Sequence, residues 1–151
     1  MLLQEKLQED LKSAMRGGDS TRRSVIRYLR SEIGNEEKSR QETLDDDAVI
    51  DVLGKQVKQR RESIEAFTKG GRQDLVDKEE AELAIVLEYM PEQMTEEEIT
   101  SLAKAAIEEI GASGPQEMGK VMGRLMPQVR GKAEGKTVSA VVSGLLKGAA
   151  D

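Results

Sequence analysis

Residues 89–98 read Tyr-Met-Pro-Glu-Gln-Met-Thr-Glu-Glu-Glu, and this stretch decides the architecture because it ends one helical pattern and begins another. Pro91 lacks an N–H, and its ring clashes with the preceding turn, so a helix arriving from the N-terminal side stops there. Thr95 with Glu98 three residues on forms a capping box. Glu96, Glu97 and Glu98 put negative charge into a first helical turn, where the helix dipole favours it. Residues 90–94 therefore read as a hinge between an N-terminal domain, residues 1–90, and a C-terminal domain, residues 95–151.

Upstream of that hinge the apolar residues recur at helical spacing. Leu3, Leu7, Leu11 and Ala14/Met15 mark a first helix that ends at Gly17-Gly18, where glycine takes the left-handed cap conformation cheaply. Val25/Ile26, Leu29 and Ile33 mark a second, capped by Asp19 or Ser20 and ending at Gly34-Asn35 or near Lys38. Thr43 with Asp46 resembles a capping box for a long third helix carrying Val49, Leu53, Val57, Ile64 and Phe67, closed by Gly70-Gly71. A fourth carries Leu75, Val76, Leu83, Val86, Leu87 and Met90 up to Pro91.

Downstream, Ile99, Leu102, Ala103, Ala106, Ile107 and Ile110 form a fifth helix that Gly111 closes. Ser113-Gly114-Pro115 opens a sixth with Met118, Val121, Met122 and Leu125 inside, which Pro127 and Gly131 break up. Thr137 starts a seventh, with Val138, Val141, Val142, Leu145 and Leu146 inside. The expected fold is all-α: a four-helix bundle followed by a three-helix bundle.

Composition supports helices and narrows the chemistry. Tyr28, Phe67 and Tyr89 are the only aromatics, whereas sheets lean on aromatic and β-branched residues. The chain has neither Cys nor His, which excludes zinc sites of the usual kind and every nucleophile pair built on histidine. No phosphate-cradling loop or glutaminase-type serine motif is present. The expectation is a protein that is not an enzyme by itself and takes no cofactor and no metal. The charged N-terminus is no signal peptide, and no apolar run is long enough to span a membrane, so a cytoplasmic home is expected, with no membrane partner.

The net charge of −6 argues against indiscriminate binding to nucleic acid. The charge is uneven, however. Residues 91–117 hold seven acids and one base, while residues 118–148 hold six bases and one acid. In the basic stretch, Lys120 and Arg124 lie one helical turn apart. Arg130, Lys132 and Lys136 follow in a glycine-rich turn, so a flexible basic loop beside a short basic helix can track a phosphate backbone; the bland alternative is a tight turn with incidental charge. Gly119 in a helix suggests close backbone approach or a bend.

Arg23, Arg27 and Arg30 share one face of the second helix, as a phosphate-contacting stripe or as a solvated face paired with neighbouring acids. Lys55, Lys58, Arg60 and Arg61 ring their helix and read as solvated. Asp45, Asp46, Asp47 and Asp51 read as first-turn acids rather than metal ligands. Glu79, Glu80, Glu82 and Glu88 read as surface acids, and Met118, Met122 and Met126 as core.

Two groups of residues carry a resemblance. Gly119-Lys120-Val121-Met122, then Gly131-Lys132-Ala133 and a closing Val/Leu helix, resemble the tail domain of GatB, a subunit of the glutamine-dependent amidotransferase that acts on glutamyl- and aspartyl-tRNA. Lys58-Gln-Arg-Arg-Glu-Ser-Ile, Gly71-Arg-Gln-Asp-Leu75, Glu79-Glu-Ala-Glu-Leu83 and Tyr89-Met-Pro-Glu-Gln-Met94 resemble the YqeY-like family of free-standing bacterial proteins. The resemblance implies kinship to a tail that contacts tRNA. It implies an accessory place beside a carbon–nitrogen ligase that uses glutamine as amide donor, or beside an aminoacyl-tRNA synthetase complex. It does not transfer catalysis, because the catalytic domains are not in this chain. A protein–protein adaptor working through the acidic N-terminal bundle is the alternative.

Overall fold

A computed structural model describes residues 2–150, with side chains through Gly148. Among the described residues the chain is all-helical. It contains α1 (Leu3–Gly17), α2 (Ser20–Arg40), α3 (Asp46–Lys69), α4 (Gln73–Leu87), α5 (Glu96–Ile110), a single 3-10 turn (Pro115–Glu117), α6 (Met118–Val129) and α7 (Gly135–Ala150). No described helix is long and apolar enough to cross a membrane. The chain divides into two compact units, residues 1–90 and 91–151.

In the first unit, α1 packs on α2 and α3 packs on α4, with α2 touching both of the latter. Leu7, Ile26, Leu29, Val49, Leu53 and Val86 are buried together in one core, each such side chain contributing about 1.5–3 kcal/mol by leaving water. In the second unit each helix gives a regular set. Ile99, Ala103 and Ala106 of α5, Val121, Leu125 and Val129 of α6, and Val138, Val142 and Leu146 of α7 form the other core. The spacing of three to four residues in all three sets is the helical repeat read from sequence.

Several local expectations are corrected. The N-cap of α3 is Asp45, whose carboxylate accepts from the Ala48 amide at 2.9 Å, and not Thr43. Asp46 is thereby free to accept from the Leu3 amide, at 3.0 Å. Helix α2 runs through Gly34 to Arg40, close to the longer of the two ends read from the sequence, and past Gly34 the Gln4 side chain of α1 donates to its Glu37. Helix α4 ends at Leu87, short of Pro91. Pro127 lies inside α6 at an exposed position, where its missing N–H removes one backbone hydrogen bond without ending the helix. Helix α7 begins at Gly135 rather than Thr137. Gly119 meets nothing among the described residues beyond its own helix turn within 4 Å of where a Cβ would lie, so no close backbone approach is seen there.

The residues after α4 are held by a polar cluster. Tyr89 is 4 % exposed, and its hydroxyl donates to Asp10 of α1 at 2.5 Å. Lys6 bonds the same carboxylate at 3.1 Å and lies 5.6 Å from the Tyr89 ring centre. Arg22 of α2 grips Glu88 with both of its terminal nitrogens. Burial pushes the Tyr89 phenol well above its usual range, and the bond to Asp10 adds to the rise. Burial also works to raise Asp10, but the donors Tyr89 and Lys6 outweigh it and hold the carboxyl below its ordinary value of 3.8.

Replacing Tyr89 by Phe removes that donor and is expected to cost about 1–2 kcal/mol in urea unfolding at neutral pH. Asp10 has a lowered folded pKa, so its contribution is complete above 3.8 and lost as pH falls through the folded value. The stability gap between the native chain and Asp10→Asn is therefore expected to narrow on acidification.

Candidate nucleic-acid interface

The basic stretch is built on α6 and the turn that follows it. Helix α6 buries Val121, Leu125 and Val129 on one side, which turns Lys120 and Arg124 to solvent on the other. After Val129 the backbone of Arg130 is extended (φ −53°, ψ 121°) and Gly131 is left-handed (φ 74°). The Lys132 amide donates back to the Val129 carbonyl at 2.8 Å. These angles and this bond make a type II β-turn, which needs glycine at its third position.

The turn is fixed from outside as well. The Gln93 side-chain amide donates to the Gly131 carbonyl at 2.8 Å and to the Pro91 carbonyl at 2.9 Å. The Met94 amide donates to the Lys132 carbonyl at 2.8 Å. The flexible basic loop expected from sequence is thus a rigid turn. The segment expected to be a hinge is, from Pro91 on, part of the second unit and the turn's clamp.

The basic side chains themselves divide into classes. Lys120 and Lys132 are exposed, and their side chains make no hydrogen bond or ion pair among the described residues. Arg124 pairs with Glu109 of α5 at 3.0 Å, both side chains being more than half exposed; such a pair contributes less than about 1 kcal/mol. Arg130 at the second position of the turn is exposed and already has an internal interaction. Lys136, at the start of α7, lines a recess of about 430 Å³ with Glu96 and Glu134, so its charge sits in acidic company.

In the first unit, Arg27 and Arg30 are exposed and Arg23 is half-buried. None of the three makes an ion pair among the described residues, so they are not tied to the acids of neighbouring helices. Arg27 and Arg30 line a groove of about 630 Å³ between α1 and α2, with Gln4, Gln8 and Glu37. The Glu37 carboxyl is held low by the Leu44 amide and the Gln4 side chain.

Two residues singled out as surface charges are otherwise engaged. Glu79 and Glu82 are about four-fifths buried, and both bond Arg60, itself only 12 % exposed. The sequence signal for this triad was present: Glu79 and Glu82 are three apart on α4 and share one face, opposite Arg60 on the adjacent α3. No cluster of three or more potential metal ligands occurs among the described residues.

The family model described as Yqey-like protein matches residues 4–146, and the chain belongs to that family. Among curated relatives, the protein named "Altered inheritance of mitochondria protein 41, mitochondrial" of Eremothecium gossypii is 47% identical over 56% of this chain and 46% of its own length. The protein of the same name from Pyrenophora tritici-repentis is 38% identical over 78% of this chain and 65% of its own. That from Lachancea thermotolerans is 38% identical over 72% and 60%. The chain thus spans less than two thirds of the length of these relatives. They are fungal and named as mitochondrial, which overturns the expectations of a cytoplasmic home and a bacterial source. The cytoplasmic expectation rested on a charged N-terminus and the absence of an apolar run, which bear on secretion and membrane spanning and not on which aqueous compartment holds a protein; the bacterial one rested on the family resemblance alone.

Gly131→Ala places a Cβ in a left-handed backbone and is expected to lower stability by about 1–2 kcal/mol. Gln93→Leu strips two carbonyls of their donor and is expected to cost about 1–3 kcal/mol. Both are read from the denaturation midpoint of the full chain, with Gly123→Ala, at an open and ordinary helical position, as the stabilising contrast.

Proposed function

We propose that this Yqey-like protein is a non-catalytic module that binds structured RNA, with tRNA as the expected ligand, through phosphate contacts from its second unit. The observation that carries this reading is a pair of exposed lysines without internal partners, Lys120 and Lys132, on a rigid scaffold of α6 and a type II turn. A cation that is exposed and unpaired loses little on meeting a phosphate. A rigid display avoids the entropy of ordering a loop at the moment of binding. Phosphate contacts fix position without reading sequence, which suits a chain with one well-exposed aromatic, Tyr28.

In this reading the first unit is a four-helix bundle and the second a three-helix bundle of the GatB-tail kind, and the protein serves an amidotransferase or an aminoacyl-tRNA synthetase complex. Arg124 and Arg130 enter as secondary contacts because each gives up an internal interaction to reach a phosphate. Lys136 contributes least, beside Glu96 and Glu134. Arg23, Arg27 and Arg30 belong to a different compact unit and are kept as a separate candidate surface.

Titrating unmodified tRNA into the full chain at low and moderate salt tests the proposal. Lys120→Ala and Lys132→Ala are each expected to weaken binding and to reduce the salt slope by about one. Arg124→Ala is expected to do less, and Glu109→Gln, which releases Arg124, to tighten binding. Absence of binding at low salt ends the proposal. Partners from cells that survive nuclease treatment would favour an adaptor acting through the first unit.

A further inference from the structure

A recess of about 270 Å³ in the first unit opens among Tyr28 of α2, Gln56, Gln59 and Arg60 of α3, and Glu79 and Glu82 of α4. We propose that it binds a neutral nucleobase, adenine best. The proposal does not rest on the cations of the second unit.

Gln56 is 4 % exposed and is the sole polar side chain among the buried ones described. Its side chain makes no hydrogen bond to any described residue, and it lines the recess. Its amide is not closed off from solvent, so it opens into the recess and leaves a donor and an acceptor there for an occupant to bond. Beside it, the Nε of Arg60 is also buried and unpartnered. The Gln56 amide is therefore the group an occupant would meet, the Arg60 Nε being closed off beneath the surface.

The charge of the recess selects against ions. Arg60 is already bonded to Glu79 and Glu82. An entering phosphate would meet two carboxylates, and an entering cation would meet a guanidinium, so the fitting occupant is neutral. Its shape is indicated by Tyr28, which at 46% exposed is the one large aromatic left to solvent, in contrast to Tyr89 at 4%. An exposed ring at the wall of a recess offers a stacking face for a planar group. The carboxamide of Gln56 presents a donor and an acceptor side by side, and adenine carries the complementary acceptor and donor on one edge. Free nucleosides and unstacked bases of an RNA strand share this chemistry.

The test uses the full chain, whose tyrosine emission is readable because it contains no tryptophan. Adenosine and uridine are titrated separately, and the Gln56 side-chain amide is followed by NMR. The expected result is saturable quenching with adenosine, a shift of the Gln56 amide, and weaker binding of uridine. By the amide shift, Tyr28→Ala abolishes binding and Tyr28→Phe, which keeps the ring face, restores it. By emission, Gln56→Leu binds adenosine about tenfold more weakly, the equivalent of about 1.4 kcal/mol; the melting temperature confirms that each variant is folded.

Absence of saturation, equal binding by Gln56→Leu, or equal response to uridine overturns the proposal. Repeating the titration with a short oligoadenylate separates the two sources. Tighter, salt-sensitive binding supports a strand as the natural ligand, and affinity equal to that of adenosine supports a free nucleoside; either outcome upholds the site.

Discussion

The Gln93 carboxamide is the interaction on which the form of the second unit's basic surface depends. Its two donated bonds join the carbonyls of Pro91 and Gly131, and the neighbouring Met94 amide adds a third bond to Lys132. Without them, the turn after α6 would rely on the two bonds that the Lys132 and Ala133 amides donate to the Val129 carbonyl, and on the conformational tolerance of Gly131. With them, Arg130 and Lys132 leave the core at set positions, and the segment after Met90 is bound into the second unit rather than spanning a gap. The tie lies 38 residues apart in the chain, so one side chain couples the start of the unit to its basic turn.

A second tie works in the same manner on the first unit. Tyr89 and Asp10 stand 79 residues apart and meet where the burial of the phenol makes the bond strong. Lys6, Arg22 and Glu88 close the cluster at its solvent side. In each unit the last or first residues outside a helix are anchored by one polar side chain, while the helices themselves are held by apolar stripes.

Charge in this chain is sorted by burial more than by count. Arg60 is mostly buried and held by two carboxylates, and it belongs to the packing of α3 on α4. Arg124 and Glu109 pair in open solvent, where the attraction is weak and easily exchanged. The side chains of Lys120 and Lys132 have no partner among the described residues. A sequence count of bases between residues 118 and 148 treats all of these as equal; tertiary structure does not.

The helical character and the three-to-four residue spacing of core positions were legible in the sequence, because each follows from contacts within about one turn. Thr95 caps α5, with the Glu98 amide donating to it at 3.2 Å, and Gly18 and Gly111 adopt the left-handed conformation at their helix ends. Legibility failed where a local rule met a competing neighbour: Asp45 took the cap expected of Thr43, and Pro127 stayed within α6 while Leu125 and Val129 on the buried side kept the helix on its core. What tertiary structure alone decided was which polar groups meet across the chain. Gln93 on Gly131 and Tyr89 on Asp10 have no signature in periodicity, because a hydrogen bond between distant residues exists only once the cores have set their separation and removed the water between them; for Arg60 the spacing of Glu79 and Glu82 showed a shared face, but not the partner that meets it.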